Sequence, residues 1–560
     1  MTMKESIHTA ITEALTALGI TEVDFVVDYP TDKNTHADFF SNVAMAAAKI
    51  VGESPKAVAE TIVAALSEKI ELVDRIEVAG PGFLNFYLNR TFYTESLKIV
   101  DEDFGKNKSW SGKKVIVEYT DPNPFKEFHV GHLFTNAVGE SIARLFMMNG
   151  ADTKRVNYQG DVGLHVAHAL WGIRKLNEVA GSDTATVLSP EILGKAYAIG
   201  ATAYKEDAAA AAEIKIINKA VYERSDTDIN ALYDLGRQVS LDYFATIYKL
   251  VDTQFDEYFF ESAAGPSGKE LVLNNPTIFP ESDGARIFDG ESHGLHTRVF
   301  LNKEGLPTYE AKELALAKMK EERFGGYDHS VISTANEINE YFKVLQKAMS
   351  FIYPELAVKT EHLGHGMVRL TSGKMSSRTG NVVPAKSFIA EVATAASEKL
   401  SEPNEALATD IALAAIKYVT LKGDVKQDAV FDKEKALSFE GDSGPYLQYT
   451  HARICSVLTK AVGAGVGASF AQAPKAAYDI EKVVYQFPGI VVEALAERAP
   501  HKVTQYLTEL AAEFNSFYAQ EKIADPTDEF APYKAAVANT VRQTLKNGLW
   551  ILAIKAPERM

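Results

Sequence analysis

The spacing of apolar positions divides the chain into stretches of different character. Near the start, Ile7, Ile11, Leu15 and Leu18 share one helical face, and Val58, Ile62, Leu66 and Ile70 share another. Between them lies Asp38-Phe-Phe-Ser-Asn-Val-Ala-Met45. After them, Ala79-Gly-Pro-Gly-Phe-Leu-Asn-Phe-Tyr-Leu88 couples a turn to an aromatic strand. Residues 1–105 therefore read as a small α/β domain, and the polar, glycine-bearing run 105–114 as a linker. An apolar strand follows from Val115 to Tyr119, with one acidic member, Glu118. Pro122 and Pro124 then forbid regular structure. Phe134, Val138, Ile142 and Leu145 recur at helical spacing, and Gly150 closes that helix.

The alternation of strand and helix continues. A second strand, about Thr153 to Tyr158, runs into Gly160-Asp-Val-Gly163, a loop at a strand end where ligands sit in open α/β sheets. From about 165 to 285 long helical patterns with an alanine tract, Ala208 to Ala212, read as an insertion between the halves of the sheet. Strand signal returns at Arg298 to Leu301, and a helix follows from about Tyr309 through Leu316. A strand at Ser330 to Ser333, a helix around Tyr341 to Met349 and the run Met367 to Leu370 come next. Pro384 opens a helix with Phe388 and Val392 on one face. From about 400 onward the pattern is almost entirely helical and reads as a bundle. Leu447, Ile454 and Leu458 share one face there, and Tyr446, Tyr449 and Arg453 another, an aromatic stripe of the kind that usually belongs to a core.

Composition narrows the class. A chain of 560 residues, 46% hydrophobic, can bury several cores. The net charge of −17, from 58 basic and 75 acidic residues, speaks against non-specific nucleic-acid binding but leaves room for a local basic surface. A single cysteine, Cys455, excludes an internal disulfide and suits a reducing, cytoplasmic home. The N-terminus lacks the features of a signal peptide, and no apolar run reaches the roughly 18 residues of a membrane span.

The chemistry concentrates where the first strand passes into its helix, at His129-Val-Gly-His132. A helix N-terminus offers unpaired N–H groups and the positive end of a dipole, so it favours anions. Histidines three apart lie on one face and can donate to one group, while Gly131 lets a ring or backbone approach. A metal site is a poor alternative, because no matching His/Asp/Glu spacing lies nearby. His-Val-Gly-His resembles the first signature of the class I aminoacyl-tRNA synthetases. Gly373-Lys-Met-Ser-Ser-Arg378 resembles their second, the lysine-bearing mobile loop. The flanking Glu118-Tyr-Thr-Asp-Pro-Asn-Pro124 and Gly441-Asp-Ser-Gly-Pro-Tyr-Leu-Gln-Tyr449 narrow the resemblance to the arginyl-tRNA synthetases. It covers nearly the whole chain, including the closing Ala556-Pro-Glu-Arg-Met560, which implies a complete chain.

That resemblance implies an α/β fold: a Rossmann-like parallel-sheet catalytic domain over 112–385 with a helical insertion at about 165–285. It also implies a small tRNA-contacting domain over 1–105 and an all-α anticodon-binding bundle over 400–560. The implied reaction is attachment of L-arginine to tRNA(Arg) through an arginyl-adenylate, with ATP and Mg2+ but no structural metal. A cytoplasmic monomer with no membrane or DNA partner is expected. The resemblance places His129, Gly131, His132, Met367, Lys374 and Ser376 on ATP, with His129, His132, Lys374 and Lys126 catalytic. Many arginyl-tRNA synthetases lack the loop lysine and instead carry one just ahead of the first signature, where Lys126 stands; this chain has both. The arginine pocket implied is Glu118, Asp121, Asn123, Tyr309, Glu313 and Glu337. Asp121, Glu313 and Glu337 stand where serine, aspartate and glutamine are common in relatives. Asn85, Tyr446 and Tyr449 are expected to face tRNA. A carboxylate fork that leaves charged acceptors unpaired with the wrong ligand discriminates without proofreading, so no editing site is expected. The family also implies that tRNA must be present before activation. Two other readings compete: a catalytically silent relative, against which the intact His129, His132 and Lys374 argue, and a cysteinyl-tRNA synthetase, whose zinc thiolates a single cysteine cannot supply.

Overall fold

The computed structural model describes residues 3–30, 37–66, 70–180, 187–371 and 383–560. They form two compact units, neither of them a single run of chain. One comprises residues 1–104, 457–486 and 513–544, the other 105–456, 487–512 and 545–560.

In the first unit, strands β1 (Val27–Asp28), β2 (Phe39–Ser41), β3 (Val73–Ala79) and β4 (Phe83–Leu88) form an antiparallel sheet in the order β1-β2-β4-β3. The helices Met3–Ala17 and Pro55–Leu66 bury the faces read from their periodicity, with Ile7, Ile11 and Ile62 at 0% exposure. Leu18 and Ile70, counted on those faces from sequence, lie beyond the helix ends. Within this unit Arg90 pairs with the buried Glu481 at 2.6 Å, and the Tyr533 hydroxyl donates to the same carboxylate at 2.9 Å.

The second unit is built on a five-stranded parallel sheet. Its members are β5 (Lys114–Glu118), β6 (Asp152–Gln159), β7 (Glu257–Phe260), β11 (His329–Ala335) and β12 (Thr360–His365), in the order β12-β11-β5-β6-β7. Val115, Ile116 and Val117 are fully buried, which is why the central strand reads as a continuous apolar run rather than an alternating one. The chain leaves β5 toward β6 and β7 and later returns on the other side through β11. A crevice therefore opens beyond the carboxyl ends of β5 and β11, where ligands bind in open parallel sheets. A separate antiparallel sheet holds β8 (Glu281–Ser282), β9 (Ala285–Phe288) and β10 (Arg298–Leu301).

The helix Val130–Met148 lies close against the end of β5, because Gly139 has no side chain. A Cβ there would stand 2.2 Å from the Tyr119 ring and its Cβ. The helical stretch after β6 runs as Leu164–Ala180, Pro190–Glu206, Ala208–Glu223 and Thr227–Leu250. It ends earlier than the sequence suggests, since β7 and the helix Glu261–Asn274 belong to the main α/β layer. Only four residues long, β7 is too short for its period to stand out. The region after 400 likewise contains one strand, β14 (Ala429–Phe431), which pairs in parallel with β13 (Val368–Leu370). No described helix is long and apolar enough to cross a membrane.

Candidate active site

The loop after β5 is the most contorted part of the site. Thr120, Asp121 and Phe125 all have positive φ (79°, 44° and 68°), a region that L-residues avoid unless the surroundings enforce it. Several bonds enforce it here. The Asp121 carboxylate accepts from the Tyr158 amide at 2.7 Å, Asn136 donates to the Thr120 hydroxyl at 3.0 Å, and the Phe125 amide donates to Ser240 at 2.9 Å. Asn123 lies over Gly160, where a Cβ would come within 2.2 Å of its Oδ1. So the loop of strand β5 and the glycine turn after β6 are fitted to one another.

His129 caps the helix Val130–Met148. Its Nδ1 accepts from the His132 amide at 3.4 Å, and the Nδ1 of His132 accepts from the His129 amide at 3.2 Å. The two rings stack with centroids 3.7 Å apart. Because both Nδ1 atoms are acceptors, the neutral rings carry their protons on Nε2 and can donate from there. Burial, with Lys126 nearby, pulls His129 down to about 4, and burial, His129 and Lys126 pull His132 well below the ordinary histidine range. Both imidazoles are therefore neutral donors at pH 7. Lys126, half-buried, holds its ammonium 4.8 Å from the centre of the Tyr197 ring, and burial lowers its pKa.

Chain on either side of the second signature is tied to this helix tip. Val383, Pro384 and Ala385 follow that signature. They pair with Phe128, His129 and Val130, through Val130 N–H to Val383 O at 3.1 Å and Ala385 N–H to Phe128 O at 2.8 Å. Ahead of the signature, His365 Nε2 lies 2.9 Å from the Thr135 hydroxyl on the same helix. Met367, 38% exposed, precedes β13 and donates its amide to Asp428 at 2.9 Å. Lys374 and Ser376 lie outside the described residues.

Carboxylates gather at the carboxyl end of β5. Glu118 is 1% exposed and forms an ion pair with Lys320, itself 2% exposed. Glu313 stands seven residues before Lys320 on the helix Tyr309–Phe324, hence on the same face. Its pKa is pushed up to about 8 by burial and by Glu118, against the opposing effects of Lys320 and the Tyr309 hydroxyl. Asp121 is raised by burial and by Glu118 as well. Glu313 Oε1, Tyr158 OH and Tyr341 OH are buried and have no hydrogen-bond partner. Buried polar atoms without partners are costly, so their grouping beside carboxylates marks a place for a ligand rich in donors. Tyr309 is 38% exposed, with its ring 5.2 Å from that of Tyr341. Glu337 is exposed, in the turn Asn336–Ile338 that follows β11.

Three further expected residues sit on other elements. Asn85 is on β4, opposite Phe40 and Glu77, and at 8% exposure offers little side-chain surface. Tyr446 and Tyr449 are half-buried on the helix Gly444–Gly463, where Arg453 lies over the Tyr449 ring at 4.7 Å. Sequence reasoning missed Lys320, Tyr158 and Tyr341. The Glu313–Lys320 spacing was a readable signal for the first; the tyrosines looked like ordinary core aromatics. Among the described residues no group of three or more His, Cys, Asp or Glu is arranged to hold a metal.

A parallel sheet whose switch point carries a paired-imidazole helix tip, with the chain flanking the second signature tied to that tip, has the architecture of a class I aminoacyl-tRNA synthetase core. The comparisons agree. Residues 96–433 match the family described as tRNA synthetases class I (R), catalytic domain; residues 2–88 match the arginyl tRNA synthetase N terminal domain and 447–560 the DALR anticodon binding domain. The chain therefore belongs to the arginyl-tRNA synthetase family. It is 28% identical over 584 aligned positions to an arginine–tRNA ligase of Clostridioides difficile, covering 100% of this chain and 99% of that protein. It is 29% identical over 530 positions to one of Flavobacterium psychrophilum, covering 88% of each. Among solved structures, the Thermus thermophilus arginyl-tRNA synthetase superposes with a TM-score of 0.78 at 25% identity, over 100% of both chains. The Plasmodium falciparum arginyl-tRNA synthetase shares the fold, with a TM-score of 0.79 at 21% identity over 100% of both.

Proposed function

We infer that this protein joins L-arginine to its tRNA at the expense of ATP. An arginine carboxylate oxygen attacks the α-phosphorus, pyrophosphate leaves, and arginyl-adenylate remains. A ribose hydroxyl at the tRNA end then attacks the arginyl carbonyl and AMP departs. Neither step needs a side-chain nucleophile; both need alignment and charge neutralisation. One observation carries the reading for arginine: the buried carboxylate pocket with unpartnered acceptors opens at the same switch point as the paired-imidazole helix tip.

In this reading the roles divide as follows. The Nε2–H groups of His129 and His132, with the helix dipole and Gly131, donate to ATP phosphates. Lys126 adds a cation from the loop side, and Lys374 and Ser376, with Met367 leading toward them, serve the leaving pyrophosphate. Glu313 and Glu118 take the guanidinium, Tyr309 walls its stem, and Asn123, Asp121 and Glu337 face the α-amino and carboxylate end. Mg2+ accompanies ATP through phosphates and water and offsets phosphate charge when bound. In this reading residues 1–105 and 400–560, which flank a catalytic domain over 112–385 in the sequence, contact tRNA at Asn85 and at Tyr446 and Tyr449. The protein acts as a cytoplasmic monomer without DNA as a partner.

The test is aminoacylation of total tRNA with each of the twenty amino acids, where arginine alone should be accepted. His132→Ala should lower adenylate formation by about 10²–10³ while tRNA affinity stays within about twofold. Loss of both together, or charging with another amino acid, would refute the assignment.

A further inference from the structure

Lys320 has no place in the chemistry above, yet it pairs with one of the pocket carboxylates. Its side chain is 2% exposed and its ammonium pairs with Glu118 Oε2, from a position on the same helix face as Glu313, two turns later. A lysine is rarely buried unless paired, and a buried pair is often no more stable than an apolar one of the same shape. So stability alone gives little reason for a lysine here. Burial works against its charge, but Glu118 and Glu313 more than offset this and keep it protonated.

We propose that Lys320 is a positioning and specificity residue of the arginine pocket, holding one oxygen of Glu118 and so denying that carboxylate to a substrate ammonium. The proposal rests on the arginine reading and deepens it. An ammonium ligand is a compact point charge with three donors, and its natural partner in the pocket is already occupied by a like charge. A guanidinium spreads its charge over a plane with five donors. Its several donors suit the unpartnered Glu313 Oε1 and the hydroxyls of Tyr158 and Tyr341, together with the oxygen of Glu118 that Lys320 does not hold. Lysine and ornithine meet repulsion where arginine finds a fork. Lys320 thus acts through Glu118 and touches no reacting atom.

The experiment uses the full-length protein with tRNA and compares arginine with lysine in the wild type, Lys320→Met and the Glu118→Gln/Lys320→Met double variant. Lys320→Met should raise KM for arginine about tenfold or more and relax discrimination against lysine by a similar factor, with KM for ATP nearly unchanged. The double variant should also bind arginine weakly but reject lysine as strongly as the wild type, because no free carboxylate remains at position 118. It keeps the pair neutral, so it still decides the matter if Lys320→Met does not fold. Unchanged arginine KM in either variant, or lysine gained equally in both, would overturn the role of Lys320. Absence of arginine-dependent charging in the wild type would instead take down the functional reading itself.

Discussion

Arginine binding should release a proton, and Glu313 is the group that loses it. In the free protein its carboxyl is pushed up to about 8 by burial and by the charge of Glu118. It therefore holds its proton at pH 7. A bound guanidinium adds a positive charge against it and favours the ionised form. The sign follows directly: protons are bound before arginine and gone after it, so affinity climbs with pH up to about 8 and then levels. Below that pH the affinity should fall by about tenfold per unit, hence about 10²-fold weaker at pH 6 than on the plateau. Other charges face the same pocket, namely Glu118 and Asp121 from the end of β5, Glu261 from the end of β7, and Lys320 on the same helix. The cluster titrates as a unit, and Glu313→Gln is needed to assign the proton. Isothermal calorimetry between pH 6 and 8, in buffers of differing ionisation enthalpy, gives both Kd and protons released. About one proton should leave per arginine at pH 7 in the wild type, and Glu313→Gln should bind about 10²-fold more weakly with a flat profile. A Kd independent of pH in the wild type, or a slope surviving in Glu313→Gln, would refute the reasoning.

Two further outcomes test the frame around the pocket. Gly160→Ala should raise KM for arginine about tenfold while leaving the melting temperature little changed, since its Cβ would displace the Asn123 side chain rather than core packing; an unchanged KM would remove Asn123 from the site. Lys417 is buried and donates to the carbonyls of Val251, at 2.6 Å, and Ala553, and burial followed by Arg144 lowers it to about 7. Between that value and the ordinary lysine range the unfolded chain binds the proton and the folded one does not. Stability should therefore rise with pH above 7, by at most about 1.4 kcal/mol per unit, and urea midpoints of Lys417→Met should lose that rise.

The chain by itself determined its local elements and the sign of its chemistry. The apolar run at Val115 to Val117 reads as a strand, and two prolines followed by His129-Val-Gly-His132 read as a loop entering a helix. Local sterics and periodicity act over a few residues, so they are legible wherever an element is long enough to repeat its pattern. The two-turn spacing of Glu313 and Lys320 was legible for the same reason. Tertiary structure alone decided what these elements meet. Nothing local announces that the four residues of β7 join the main sheet, or that Ala429–Phe431 pairs with Val368–Leu370, because strand pairing satisfies hydrogen bonds between segments far apart in sequence. Nor does composition reveal that Glu118 is clamped by a lysine some two hundred residues on, or that Tyr158, Tyr341 and Glu313 are buried with polar atoms left unpartnered. Those facts depend on which side chains the fold excludes from water together, and desolvation is a property of the assembled interior, not of any stretch of chain.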